Sequence, residues 1–157
     1  MRVSAFALPL SLLAASLGFA SAAHAENCTV SIGGDDKMQY DKTEINIPAT
    51  CKQVSLTLTH TGKFAANMMG HNWVLAKTAD VASISSDGMK SDMANDFLAA
   101  GDTRVIAHTK IIGGGESTTI TFSTAKLSKD GDYTFFCSFP GHTGIMKGKF
   151  VFGRKPA

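Results

Sequence analysis

The chain has little net charge, one tryptophan, no internal repeat, no proline-rich or low-complexity linker, and an odd number of cysteines. Fifteen Lys and Arg against thirteen Asp and Glu leave +2 over 157 residues. So small a balance gives no reason to expect nucleic acid or an anionic membrane as partner. With no linker, and with a length suited to one core, two domains are not expected. Three cysteines cannot all pair, so one is either a reactive thiol or reserved for a metal.

A long unbroken apolar run is also missing. The stretch from Ala5 to Ala20 is interrupted by Ser11, Ser16 and Gly18 and is followed by Ala23-His24-Ala25. With Arg2 in front, this fits a secretory signal peptide over residues 1–25 and not a membrane helix. The mature chain then starts at Glu26, forms one domain over residues 26–157, and lies in an exported compartment that permits disulfides. Arg2 is the only charged residue lost, leaving +1.

What is present is mostly short alternation. Val54, Leu56 and Leu58 alternate with Ser55, Thr57 and Thr59; Ile120 and Phe122 alternate with Thr119, Thr121 and Ser123. Val30 with Ile32, Trp73 with Leu75, Tyr133 with Phe135, and Phe150 with Phe152 repeat the period of two, which marks strands with one face in a core. Gly33-Gly34-Asp35-Asp36, Gly113-Gly114-Gly115 and Lys129-Asp130-Gly131-Asp132 read as turns. Many short strands at this spacing predict an all-β sandwich of about eight strands in two sheets. Ala79 to Gly101 lacks the pattern, and short helices are expected at 81–87 and 91–99.

The chemistry is concentrated in Phe136-Cys137-Ser138-Phe139-Pro140-Gly141-His142-Thr143-Gly144-Ile145-Met146. A thiol, an imidazole and a thioether on one loop suit copper: thiolate and imidazole serve both Cu(I) and Cu(II), and a thioether is a weak axial donor. A trigonal site of two histidines and a cysteine needs one imidazole from elsewhere, and His71 in Met69-Gly70-His71-Asn72-Trp73 is the candidate. Gly70 lets its carbonyl approach the metal from the side opposite Met146. Asn72 is placed to hydrogen-bond the ligand loop, and the backbone amides of Asn72 and Phe139 are candidates to bond the sulfur. A strand ending at Cys137 and another opening at Met146 would hold the loop, with Pro140 and Gly141 shaping its turn.

These segments, together with Arg104-Val105-Ile106-Ala107-His108-Thr109-Lys110 and the run from Phe135 to Gly148, resemble the azurin branch of the cupredoxin family of blue-copper proteins, over nearly all of the chain after residue 25. The resemblance implies a Greek-key sandwich with a helical flap outside it, and a periplasmic one-electron carrier using a single copper ion that cycles between Cu(I) and Cu(II). It implies an apolar electron-transfer patch near the histidine ligand, including Met38, Met69, Met89, Phe139, Pro140 and Gly141, with Phe64 and Met68 beside it. Partners of the c-type cytochrome, copper nitrite reductase or amine dehydrogenase kind follow from the family alone, and a monomer is expected. His60 matches a non-ligand histidine whose protonation couples to the copper potential, and His108 a solvated surface histidine. With Cys137 given to the metal, Cys28 and Cys51 are the natural disulfide.

Two other classes fit these residues less well. A thiol enzyme would use Cys137 as nucleophile with a histidine base, but it needs an orienting third group and an oxyanion site, and this loop offers methionine instead. A copper store or chaperone would favour exposed thiolates or methionine strings. Zinc also fits a Cys-His₂ set and is expected as an adventitious substitute.

Overall fold

The structure is a computed structural model, and it describes residues 28–154. The signal peptide and its cleavage point therefore lie outside the described residues. Nine strands form two sheets: β1 Thr29–Asp35, β2 Gln39–Tyr40, β3 Glu44–Ile47, β4 Gln53–His60, β5 Val74–Lys77, β6 Val105–His108, β7 Ser117–Ser123, β8 Tyr133–Phe136 and β9 Lys147–Phe152. One sheet runs β2-β1-β4-β7 and the other β3-β9-β8-β5-β6. Pairs β1/β4 and β3/β9 are parallel, and the remaining pairs antiparallel. The result is a Greek-key sandwich with one strand more than expected, the two-residue β2.

The alternation places the core where sequence put it. Val54, Leu56 and Leu58 of β4 point inward at 0% exposure and pack with Trp73, Phe122, Phe135 and Phe150 between the sheets. Trp73 is fully buried, and its indole Nε1 has no hydrogen-bond partner among the described residues. An unpaired buried donor costs about 1–3 kcal/mol. The large apolar area of the ring offsets that cost.

One strand pair departs from period two. Val74, Leu75 and Ala76 are all buried, because the outer face of β5 and β8 is covered as well. Helix α2, Val81–Gly88, lays Val81 and Ile84 with Leu98 onto Val74, Ala76 and Phe136 in a second, smaller core. This is the flap, and its helix agrees with the expected 81–87.

The second expected helix, 91–99, is corrected to a single 3-10 turn at Met93–Asn95. The Asp92 carboxylate accepts from the Asn95 amide at its start, and Asp96 and Phe97 take left-handed backbone angles (φ 55 and 48) that stop it. A further short helix, α1, Ala66–Met69, has no counterpart among the expected elements. Gly33-Gly34-Asp35, read as a turn, is instead the end of β1; the reversal comes after it, with Met38 left-handed at φ 58.

Candidate metal centre

The site sits at one end of the sandwich, where strand ends supply its residues. Cys137 follows β8 directly, and Met146 immediately precedes β9. The loop between them closes on itself: Cys137 N–H donates to Met146 O (3.0 Å), His142 N–H to Phe139 O (3.0 Å), and Met146 N–H back to His142 O (2.8 Å). Gly141 has φ 83, a left-handed angle that a side chain would strain. His71 arrives from 66 residues upstream, held just before β5 by two backbone bonds with Ile112 (3.0 and 2.9 Å).

These elements bring His71, Cys137 and His142 together with their donor atoms all within 4.8 Å of one another. Cys137 Sγ lies 4.0 Å from His71 Nδ1 and 3.6 Å from His142 Nδ1. A triangle with sides of that order has its centre roughly 2.1–2.3 Å from each corner, the bond length of nitrogen or sulfur to a first-row metal. The Gly70 carbonyl oxygen is 3.9 Å from Sγ. Cys137, Met146 and His71 are fully buried, and His142 keeps only 3% of its surface exposed.

Histidine tautomers are set by the surroundings. His71 Nε2 is 2.8 Å from the Asp35 carbonyl, which can only accept, so Nε2 carries the proton and Nδ1 offers a lone pair toward Sγ. His60 stacks on His71 with ring centroids 4.4 Å apart. Its Nε2 donates to Met69 O (2.8 Å) while Nδ1 accepts from Gly62 N–H (3.0 Å). It is fully buried and satisfied on both nitrogens, and it is not one of the three donors that converge.

Two further features were not legible in the sequence: the wall formed by Gly34, and the network that extends from Asn72 to Asp96 and Tyr40. Gly34 forms a wall of the site: a methyl group there would stand 2.8 Å from Met146 Cε and 3.1 Å from His71 Cδ2. Asn72 reaches the ligand loop as expected, accepting from Ser138 N–H at 2.9 Å and donating to Ser138 Oγ at 2.8 Å. Beyond it the network continues through Ser138 Oγ to Asp96 O at 2.6 Å, and Tyr40 O–H donates to the Asn72 carbonyl. Hydrogen bonding from the backbone amides of Asn72 and Phe139 acts to lower the pKa of the Cys137 thiol.

The expected patch residues are placed unequally. Pro140, Gly141 and Met89 are exposed; Met38, Met69 and Phe139 are half-buried. Phe64, Met68 and Ile145 add exposed apolar surface. The Phe139 ring covers His142 at 4.7 Å and meets Phe97 edge-on at 5.3 Å. His108 is 42% exposed, with Nδ1 3.6 Å from an Asp96 carboxylate oxygen.

Burial governs the electrostatics of the metal-free site. It pushes the Cys137 thiol up to about 12, against the opposing pull of the Asn72 and Phe139 amides. It pushes His142 down to about 4, helped by the nearby His71 and His60 rings, and lowers His71 as well. The sign for stability follows. Between the ordinary histidine value near 6.5 and about 4, the unfolded chain binds protons that folded His142 refuses, so metal-free stability falls as pH falls. Between about 9 and 12 the folded thiol keeps a proton that the unfolded chain has lost, so stability falls as pH rises. Thermal unfolding of the metal-free protein across pH should show both limbs, each approaching about 1.4 kcal/mol per pH unit for a fully responsive group. A bound metal keeps the thiolate deprotonated, so the alkaline limb should vanish in the loaded protein.

The donor set fits copper: two neutral imidazole nitrogens and a sulfur in a dry triangle, with a thioether beside them. Comparison with known proteins agrees. Residues 26–153 match the family of copper binding proteins described as plastocyanin/azurin. An azurin of Bordetella pertussis is 52% identical over 136 residues, covering 87% of this chain and 91% of that protein. An azurin of Alcaligenes faecalis is 50% identical over 126 residues, covering 80% and 98%. Among solved structures, an azurin from the obligate methylotroph Methylomonas sp. strain J superposes with a TM-score of 0.78 at 42% identity, covering 81% of this chain and 98% of that one. The Cys28–Cys51 disulfide is formed, leaving Cys137 as the free thiol among the described residues. This chain belongs to the plastocyanin/azurin family of copper-binding proteins, and it is a blue-copper electron carrier, not an enzyme.

Proposed function

We propose that Cys137 Sγ, His71 Nδ1 and His142 Nδ1 are the equatorial ligands of one copper ion, with the Met146 thioether and the Gly70 carbonyl as weak axial contacts. The observation that carries this reading is the convergence of three buried donors, each oriented by a hydrogen bond or a tight loop before any metal arrives. Copper in such a site supplies a one-electron Cu(I)/Cu(II) couple. The chain's own part is to hold the donors still, exclude water and leave no equatorial position open for a substrate. Asn72 and Phe139 amides stabilise negative charge on the sulfur, and the Asp35 carbonyl keeps the His71 ring in its metal-binding tautomer.

Electrons would pass through His142 and the Phe139 side of the molecule. Phe64, Met68, Met89 and Ile145 are exposed apolar residues that could serve the docking of a redox protein. Weak, wet contacts of this kind suit a carrier that must leave quickly. Residues 1–25 act as a cleaved export signal in this reading, residues 26–157 are the mature domain, and the carrier works in the periplasm as a monomer. No helix among the described residues is long and apolar enough to cross a membrane.

Visible absorption during Cu(II) titration of residues 26–157 tests the ligand set, with Cys137→Ser alongside. The expected result is an intense blue band that saturates at one copper, bleaches with a mild reductant and is absent in the variant. Folded protein with a free thiol that stays pale would overturn the assignment.

A further inference from the structure

We propose that Ser85, on the flap helix outside the sandwich, is a positioning residue for the ligand loop, acting through Thr143 on the peptide that follows the thiolate residue. Two serines of the same helix behave differently. Ser83 bonds back to its own chain, Oγ to Asp80 O at 2.9 Å, the usual behaviour of a helical serine. Ser85 Oγ instead leaves the helix and donates to Thr143 Oγ1 at 3.0 Å. Thr143 Oγ1 in turn donates to the Cys137 carbonyl at 2.9 Å.

A hydroxyl has one proton, so accepting from Ser85 leaves the Thr143 proton free to point at Cys137 O. Each bond in such a relay polarises the next. The target carbonyl belongs to the Cys137–Ser138 peptide, whose N–H end donates to Asn72 Oδ1 at 2.9 Å. Because a peptide is planar, holding both ends fixes the backbone torsions on either side of it. Cys137 N–H is already tied to Met146 O, so the backbone around the thiol is clamped on three sides. Two of those ties come from the sandwich and the loop itself, and the third comes from the flap.

The flap is a fit anchor because Val81 and Ile84 fasten its helix to Val74, Ala76 and Phe136. The relay runs along a solvent-open groove of about 500 Å³ lined by Thr78, Val81, Ala82, Ser85, Thr134 and Thr143, among others. Its worth is therefore that of an ordinary hydrogen bond, and the positioning role it serves rests on the copper reading above.

Amide hydrogen exchange of the metal-free and copper(I)-loaded protein tests the relay, comparing Ser138 with Leu56 in the central strand of the opposite sheet. In Ser85→Ala, Ser138 exchange should accelerate about fivefold relative to Leu56, the equivalent of ~1 kcal/mol for one lost bond. Alanine favours helix, so the flap itself is not weakened. Adding Thr143→Val to Ser85→Ala should give no more than Thr143→Val alone, Ser85→Thr should restore protection, and Ser86→Ala, on the exposed side of the same helix, should be silent. Copper(I) loss to excess chelator should quicken by a similar factor in Ser85→Ala. Equal acceleration at Ser138 and Leu56, or a Ser85→Ala effect no larger than that of Ser86→Ala, would overturn the proposal. The metal-free arm does not depend on copper, so failure of the relay and failure of the ligand assignment are separable.

Discussion

Replacing Asn72 by alanine should destabilise the folded chain by about 3 kcal/mol, because it leaves a buried backbone donor without an acceptor and opens a cavity beside the thiol. The Asn72 side chain is fully buried and makes three bonds: Oδ1 accepts from Ser138 N–H, and Nδ2 donates to Ser138 Oγ at 2.8 Å and to Asp96 O at 3.2 Å. Ser138 is itself 4% exposed, so water cannot readily replace the lost acceptor. Alanine removes the amide but not the peptide donor it served, which is the costly way to break a hydrogen bond. Urea unfolding of metal-free protein measures the loss as a lower midpoint at unchanged slope. A loss below about 1 kcal/mol would mean that the loop relaxes around the gap, and that Asn72 does not hold it.

Removing the Cys28–Cys51 bridge by a double serine substitution should cost a similar amount while leaving the metal site unchanged. The bond closes a loop with a sequence separation of 23. In the chain-entropy model a loop of that size contributes about 3 kcal/mol by restricting the unfolded state. Its location explains why copper should not notice. Cys28 precedes the start of β1, and Cys51 precedes β4, which pairs with β1 in parallel from Thr29 opposite Ser55. The metal donors lie past the other ends of these strands, beside Gly34 and His60. Six residues of extended chain separate the two regions by roughly 20 Å. The folded variant should therefore bind copper with the same absorption spectrum and unfold at lower urea. A changed spectrum would show that strain at the bridge reaches the site through β1 or β4.

The two variants probe different sources of order. Asn72→Ala acts on the native state, where a polar network is left incomplete. The disulfide acts mainly on the unfolded chain, whose freedom it limits. Loading with copper should partly rescue the bridge variant, since a ligand bound only by the folded state adds stability by mass action. Rescue of Asn72→Ala should be weaker, because the residue it lacks holds the ligand loop.

How much of this was written locally is clear from particular residues. Cys137, His142 and Met146 lie within ten residues, so their donor chemistry could be read as a group without any fold. Strands β4 and β7 were legible because one buried face imposes a period of two, and the Val81–Gly88 helix because that period breaks. The sequence also paired Cys28 with Cys51 once Cys137 was assigned to the metal. How distant segments are oriented against one another was decided by tertiary structure. It places the Asp35 carbonyl on His71 Nε2, which selects the tautomer, and Gly34 against Met146, where only a missing side chain fits. It buries both faces of β5 under the flap, hiding the alternation there, and ends the 91–99 segment after one turn through Asp92 and the left-handed Asp96. Local sequence carries donor type and periodicity because both are properties of a few consecutive residues; orientation, burial and coupling arise only between segments, and packing alone determines them.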